Sequence, residues 1–261
     1  MVYNFNFQAI NSYNQAIHMK YKSILLVFIV LATQMYGQKI DTLSTSKKLS
    51  YKAFIIPTAM ITAGVILLNT DDNQELQDKS NNFFGKNFHS TADNIFPLVP
   101  IAQIYTGRYL GFEPKNNFKH QTIDLVVANA TSLIIVEILK NSIKKERPDQ
   151  SDNLSFPSGH SAIAFTNAAL LFHEYKDSNI WYASSGFLFA ATTAIFRIAN
   201  NKHYSSDVLT GAGIGLASGI LVSYYNPFQS MRFGKTKKTT AFIYPQIGNQ
   251  IGLGLLIKPN Y

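Results

Sequence analysis

The sequence predicts an all-α protein, a bundle of about five to six core helices with a short C-terminal β-hairpin-like tail. Three observations support this fold class. Apolar segments of helical length recur along the chain, charged residues make up only 15% of it, and aromatic residues make up 13%. Because soluble proteins usually contain about 25% charged residues, the composition favours a bundle embedded in a membrane.

The N-terminal region has the layout of a signal peptide. Two lysines precede the apolar run 23–32, and small and polar residues follow it. We therefore predict a signal peptide over residues 1–37, with Met19 as the initiator, because the residues before Met19 have no role in that layout. The alternative is an uncleaved anchor helix, although the run is short for a span of about 20 residues.

Residues 38–230 are predicted to form the helical domain. Its apolar segments are residues 53–68, 123–139, 161–173, 180–196 and 208–225. Residues 95–105 are also apolar, but Pro97 and Pro100 predict a broken helix there. The polar segment 70–90 is predicted to be a solvated loop, in which Asp71 and Asp72 begin a turn.

The last predicted helix carries a repeated glycine. Gly211, Gly215 and Gly219 follow one another at intervals of four residues. This spacing places small residues on one helix face and lets a second helix backbone approach closely. We therefore interpret the repeat as a helix-packing surface.

The C-terminal tail, residues 231–261, changes character. It begins with a basic patch, after which residues 240–244 and 251–257 have the composition of strands around Gly248 and Asn249. Two strands cannot close a membrane barrel by themselves. The tail is thus predicted to be a hairpin without a chemical role.

Charge and cysteine content limit the functional classes. The net charge of +8 indicates contact with a membrane or with an anionic substrate. Nucleic acid is not a predicted partner, because the basic residues are dispersed and accompany no recognised binding motif. The chain has no cysteine, which excludes disulfides and thiolate metal sites.

Three polar clusters interrupt the apolar helices. In the first, Lys140 ends one helix and Arg147 follows seven positions later, before Pro148, which is predicted to stop that helix. Arginine offers a planar fork for phosphate oxygens, and lysine adds a mobile positive charge. Taken alone, this pair would also fit a solvated basic helix end.

The second cluster, Pro157-Ser158-Gly159-His160, opens the next helix. N–H groups at a helix start favour anions, Gly159 permits close approach, and the hydroxyl of Ser158 is a further donor. His160 would lie where it can protonate a leaving oxygen. An N-cap turn with an incidental histidine is the structural alternative.

The third cluster consists of Arg197, His203 and Asp207. Residues four apart share a helix face, so Asp207 can accept a hydrogen bond from one nitrogen of His203 and fix its tautomer. The other nitrogen is then free to attack phosphorus. A purely structural His–Asp pair is the alternative.

In order and spacing, these clusters resemble the signatures of the type-2 phosphatidic acid phosphatase and vanadium haloperoxidase superfamily. Lys140-x6-Arg147-Pro148 matches the first signature, Pro157-Ser158-Gly159-His160 the second, and Arg197-x5-His203-x3-Asp207 the third. The resemblance covers residues 53–225. One position departs from it: the third signature usually has serine before its arginine, where this chain has Phe196.

The resemblance implies a phosphatase of the lipid phosphatase branch. His203 would be the nucleophile, forming a phosphohistidine, with Asp207 orienting it and His160 acting as the general acid. The phosphoryl oxygens would be held by Lys140, Arg147, Ser158, Gly159 and Arg197. No metal or other cofactor would take part.

The predicted substrate is a phosphorylated lipid of the cell envelope. If the signal peptide is cleaved, residues 53–68 span inward and residues 95–105 do not span, the active site faces the periplasm. Arg108, Lys115, Lys119 and the basic patch 232–238 then lie in the cytoplasm, in agreement with the positive-inside rule. A soluble periplasmic acid phosphatase of broad specificity is the first alternative, because polar residues interrupt the short apolar segments. A vanadate-dependent haloperoxidase and a non-enzymatic envelope protein are further alternatives, and the sequence leaves the oligomeric state open.

Overall fold

The structure is a computed structural model that describes residues 49–226, 228, 239–247 and 251–259. The predicted signal peptide, the predicted initiator Met19 and the basic patch at 231–238 lie outside these residues. The chain divides into two compact units, Met1–Asn226 and Pro227–Tyr261. Each unit is therefore described by itself.

Within residues 49–226, the described part of the first unit, all regular secondary structure is helical. Its α-helices are α1 (Ile55–Leu67), α2 (Asp71–Phe84), α3 (Ala92–Ile95), α4 (Val99–Thr106), α5 (Phe118–Ile143), α6 (Gly159–Tyr175), α7 (Ile180–Ala199) and α8 (Ser205–Tyr224). Short 3₁₀ turns at Tyr51–Phe54, Phe96–Leu98 and Gly107–Leu110 join or extend them. Six of the described helices have 13 or more residues, which confirms the all-α bundle.

The second unit contains a β-hairpin. Strand β1 (Thr239–Ile247) pairs antiparallel with β2 (Ile251–Pro259), in a register that sets Thr239 opposite Pro259 and Ile247 opposite Ile251. The pair includes the two segments for which strands are predicted.

Helix α6 is the centre of the bundle, packing against α4, α5, α7 and α8. One buried cluster surrounds its C-terminal half and includes Leu171 and Tyr175, whose hydroxyl donates to the carbonyl of Ile104. A second cluster, which includes Phe156 and Ala162, surrounds its N-terminal half. The N-terminus of α6 is thereby fixed against α5 and α8.

The glycine repeat of α8 is a packing surface, as predicted. A Cβ atom on Gly211 would lie 2.3 Å from the carbonyl oxygen of Ser158, and one on Gly215 would lie 2.2 Å from that of Ala162. A Cβ atom on Gly219 would lie 2.7 Å from the Cβ of Ala169. These three glycines let α8 lie directly on the backbone of α6.

Two predicted features of the chain were wrong. Residues 71–84 form helix α2, and the two aspartates lie in its first turn, where carboxylates favour the positive end of the helix dipole. Asn73 and Gln77 of α2 are buried against the bundle, which a solvated loop would not allow. Helix α5 also ends before Pro148, at Ile143, because the next residue adopts a left-handed conformation with φ of 51°.

The broken helix predicted over residues 95–105 is present. Helix α3 ends at Ile95, the 3₁₀ turn Phe96–Leu98 contains Pro97, and α4 then begins at Val99. Proline lacks the amide hydrogen that a continuous α-helix requires, so the α-helix is interrupted by a 3₁₀ turn at this point.

Two of the described helices, α5 and α8, have the length and hydropathy to cross a membrane. The stretch Tyr51–Leu67 together with α2 adds a third candidate, bent by 97° between its two parts. Helix α8 is largely enclosed by the bundle, whereas α5 exposes Val126, Ile134 and Ile138. The exposed face of α5 is therefore suited to contact lipid.

The contact of α8 with α6 leads to a stability prediction. Gly215→Ala should destabilise the protein by about 1–3 kcal/mol, because the new methyl group overpacks a tight backbone contact. On intrinsic helix propensity alone, the same change would stabilise a helix by about 1 kcal/mol. The midpoint of thermal unfolding measures the effect, with Ala217→Ser on the half-buried side of the same helix as the control. An unchanged or higher midpoint for Gly215→Ala would contradict the packing described here.

Candidate active site

The eight residues predicted for the site come from helix ends and loops at one end of the bundle. Lys140 lies in the last turn of α5, Ser158 caps the start of α6, and Arg197 lies in the last turn of α7. His203 precedes α8, and Asp207 lies in the first turn of that helix. The three sequence clusters thus contribute to one site.

The imidazole of His203 is buried between Arg147 and Asp207, with 1% of the residue exposed. Its Nε2 lies 3.2 Å from Nη1 of Arg147. A guanidinium group has hydrogen-bond donors and no acceptors, so Nε2 must present its lone pair and the proton of a neutral ring must be on Nδ1. Nδ1 lies 3.6 Å from Oδ2 of Asp207, slightly beyond hydrogen-bond distance. The geometry therefore fixes the tautomer that a nucleophilic Nε2 requires.

Asp207 is fully buried and is held from several sides. Its Oδ2 accepts from the backbone N–H of Tyr204 at 2.9 Å and from the hydroxyl of Ser155. Its Oδ1 accepts from Nζ of Lys145 at 3.1 Å and from the hydroxyl of Ser206 at 3.0 Å. The carboxylate is therefore fixed in place and remains ionised, because a buried charge needs such partners.

The first cluster supplies two cations, Lys140 and Arg147, which donate hydrogen bonds to other groups of the protein. Lys140 is 7% exposed, and its Nζ donates to the carbonyl of Leu154. Arg147 lies in the loop after α5, where its Nε donates to Oδ1 of Asp152 at 2.7 Å and its Nη1 donates to the carbonyl of Lys202 at 3.1 Å. Arg147 therefore reaches His203 from a loop and does not share a helix with Lys140.

The N-terminus of α6 lies beside this group. The hydroxyl of Ser158 accepts from the backbone N–H of Ser161 at 3.4 Å and from its hydroxyl at 3.1 Å, which leaves the Ser158 proton free to donate. The N–H groups of Gly159 and His160 are in the first helical turn and have no acceptor within the helix. A Cβ atom on Gly159 would meet only Val136, at 3.8 Å, so the space beside it is open. The start of α6 can therefore accept an anion.

Helix α3 holds two further residues of the site. Oδ1 of Asn94 lies 3.0 Å from Nε2 of His160. The buried carboxylate of Asp93 accepts from Nη1 of Arg197 at 2.9 Å, and the Nε of Arg197 has no partner among the described residues. Asp93 thus positions Arg197, and its neighbour Asn94 positions His160.

Phe196 has a packing role. Its ring lies 5.7 Å from that of Phe88 and 6.1 Å from that of Phe96, measured between centroids. The position that holds serine in the family signature is here part of an aromatic cluster beside Arg197.

Both histidines of the site are neutral at pH 7. Burial lowers the pKa of His203 to about 4, the charges of Arg197 and Arg147 act in the same direction, and Asp207 opposes them. Burial also lowers the pKa of His160 to about 4. The positive charge of Arg197 lowers the pKa of His160 further, Asp93 opposes this effect, and Lys140 and Arg147 act in the same direction as Arg197.

Several residues of the site were missed by the sequence analysis. These residues are Asn73, Asp93, Asn94, Lys145 and Ser155, all in contact with a predicted site residue or with Ser206 beside it. Lys145 lies between Lys140 and Arg147, and Ser155 lies between the first and second clusters. Their closeness to the clusters in sequence could have indicated that they belong to the site. Asp93 lies 104 positions from Arg197, and no spacing indicates that contact.

Parts of the chain are similar to known proteins. Residues 121–231 match the model of the PAP2 superfamily. Lipid A 1-phosphatase of Porphyromonas gingivalis is 34% identical over 168 residues, which are 62% of this chain and 36% of that protein. A PA-phosphatase related-family protein of Dictyostelium discoideum is 26% identical over 148 residues, 47% of this chain and 55% of that protein.

One solved structure is also similar. The crystal structure of Aquifex aeolicus LpxE has 26% sequence identity and a TM-score of 0.46, and the match covers 60% of this chain and 98% of that one. Against the two curated relatives, the chain spans 36% and 55% of their lengths.

The tautomer of His203 can be measured directly. In ¹⁵N-histidine NMR spectra, His203 should be neutral at pH 7 with its proton on Nδ1, and it should titrate near pH 4 because its ring is buried among cations. The spectrum of His203→Gln identifies the signal by its loss. A proton on Nε2, or titration near the ordinary value of about 6.5, would contradict the arrangement described.

Proposed function

We propose that this chain, which carries a PAP2 superfamily domain, is a phosphatase that removes phosphomonoester or pyrophosphate groups from lipids of the cell envelope. One observation carries the proposal. The unprotonated Nε2 of His203 and Nη1 of Arg147 lie 3.2 Å apart, and the neighbouring Asp207 accepts from the backbone N–H of Ser158 at the N-terminus of α6. A nucleophile and an anion-binding group are thus present in one buried place.

In the first step, Nε2 of His203 attacks phosphorus. Arg147 turns its N–H from Nε2 to a phosphoryl oxygen, which frees the lone pair to form the N–P bond. The bond from phosphorus to the ester oxygen breaks, and a protonated His160 gives its proton to that oxygen. Asp207 stabilises the positive charge that develops on His203.

The other charged groups hold the phosphoryl oxygens. Lys140 and Arg197 supply positive charge, and Ser158 and Gly159 supply donors at the start of α6. A bound phosphate dianion offsets the cations that lower the pKa of His160, so that substrate binding favours protonation of this general acid.

In the second step, water releases the phosphate. His160, now neutral, removes a proton from water, whose oxygen forms a bond to phosphorus while the N–P bond to His203 breaks. The products are inorganic phosphate and the free enzyme. Each step transfers one proton and one phosphoryl group, and no redox reagent is consumed.

A lipid substrate is supported by two observations. The P. gingivalis relative is a lipid A 1-phosphatase. Exposed apolar side chains also line α1 and α5, among them Ile55, Ile66, Ile134 and Ile138, as expected where helices face lipid. A membrane-bound site would meet its substrate in the plane of the bilayer.

We place the site on the periplasmic side of the inner membrane. The bundle end opposite the site contains Lys115, whose backbone N–H donates to the carbonyl of Glu174 near the end of α6. Arg108 and Lys119 lie in the segments that flank this lysine along the chain. Positive charge near the ends of spanning helices favours the cytoplasmic side.

The proposal is tested by phosphate release from a panel containing lipid A 1-phosphate, phosphatidate, an isoprenyl pyrophosphate and soluble monoesters. Wild-type protein should release phosphate from lipids in the presence of a metal chelator, and His203→Gln should lose the activity by a factor of 10³ or more, on the order seen for loss of a nucleophile. His89→Gln, an exposed histidine, is the matched control.

The panel distinguishes the alternatives. Equal release from soluble esters would favour an acid phosphatase of broad specificity. Release that persists in His203→Gln would exclude the proposed nucleophile, and the absence of release from every substrate would contradict a phosphatase.

The role of His160 predicts a dependence on the leaving group. His160→Gln should slow hydrolysis of an alkyl phosphate by about 10²–10⁴-fold, because the alkoxide must then leave without a proton. A nitrophenyl phosphate should lose much less activity, since nitrophenolate is a stable anion. An equal loss for both substrates would show that His160 does not act as the general acid.

A further inference from the structure

Lys145 is a half-buried cation whose position the proposed reaction does not explain. Its side chain is 17% exposed, and its Nζ lies 3.1 Å from Oδ1 of Asp207. The same Nζ donates to the hydroxyl of Ser206 at 2.9 Å and lies 4.2 Å from the centre of the Tyr204 ring. The neighbouring Lys144 is exposed and begins the loop.

These contacts place Lys145 and His203 at different oxygens of the Asp207 carboxylate. His203 faces Oδ2 of Asp207, whereas Lys145 bonds to Oδ1 of the same carboxylate. The lysine therefore lies on the side of Asp207 away from the imidazole. Its hydrogen bonds go to Asp207 and Ser206, so it can influence His203 by holding the carboxylate in position and by offsetting the carboxylate's charge.

We propose that Lys145 is a positioning residue, which holds Asp207 in place and limits the negative charge that Asp207 presents to His203. The proposal rests on the proposed phosphatase function, in which His203 must be neutral to attack phosphorus. A carboxylate beside an imidazole favours its protonated form, and protonation would remove the lone pair.

The charges around His203 support this direction. Asp207 faces the ring from α8, Arg147 from the loop after α5, and Arg197 from the end of α7. Of these three groups, only Asp207 favours the protonated form of His203. A cation bonded to Asp207 therefore weakens the influence that favours protonation. Loss of the positive charge at Lys145 should therefore raise the pKa of His203.

The hydrogen-bond network also explains how the carboxylate keeps its orientation. Ser206, which contacts both Lys145 and Asp207, exchanges two hydrogen bonds with Asn73 of α2, at 3.1 and 3.2 Å. Lys145 is thus one of the points at which the loop after α5, the start of α8 and helix α2 are joined.

The test compares Lys145→Gln with Lys144→Gln, which removes the same charge from the adjacent exposed position. Lys145→Gln should lower kcat by about tenfold to a hundredfold with little change in KM, because the nucleophile is displaced while the phosphate cations remain. In a plot of kcat against pH, the acid limb should move to higher pH by about one pH unit, as expected when a nearby positive charge is removed. Lys144→Gln should behave as wild type, and Lys145→Arg should restore the wild-type pH profile.

A second measurement does not depend on activity. ¹⁵N-histidine NMR of the full chain should show His203 titrating at a higher pH in Lys145→Gln than in wild type and in Lys144→Gln. An inactive wild type would contradict the proposed function, while this titration would still decide the influence of Lys145.

Two results would overturn the proposal. One is a folded Lys145→Gln protein with the wild-type pH profile and the wild-type titration of His203. The other is the failure of both Lys145→Gln and Lys145→Met to fold while Lys145→Arg folds, which would assign Lys145 a structural role alone.

Discussion

The buried carboxylate of Asp207 is the interaction on which the arrangement of the site depends. Its side chain bonds to the loop after α5 through Lys145 and Ser155, and its carbonyl accepts from the backbone N–H of Ser158 at 2.9 Å, at the start of α6. An unpaired buried charge would be strongly unfavourable, so these segments must come together for the protein to fold. The same contacts place His203 beside Arg147.

This carboxylate can serve its role only because α6 and α8 approach closely. The glycines of α8 remove the side chains that would otherwise separate the two backbones, and Gly211 lies directly against Ser158. The start of α6 is thus held beside the start of α8. Helix packing and the chemistry of the site therefore depend on the same residues.

The cations of the site are held in position by the protein before any substrate binds. Arg147 bonds to Asp152, and Arg197 bonds to Asp93. Such pairing keeps guanidinium groups in a fixed geometry, and a transition state then requires little rearrangement of its surroundings. In the proposed reaction, binding of a phosphate would compete with these internal partners, which favours a dianionic group over a weaker anion.

The sequence by itself determined the all-α class, the central helices and the glycine surface, because each has a local signature of periodicity or spacing. It also predicted the eight candidate residues, through three clusters whose order and spacing resemble known signatures. Only the tertiary structure decided that α2 is a helix with Asn73 and Gln77 buried, that α5 ends at Ile143, and that Arg147 reaches His203 from a loop. It alone placed Asp93, Asn94 and Lys145 in the site. These contacts depend on burial and on long-range pairing of charges, and neither leaves a periodic pattern in the chain.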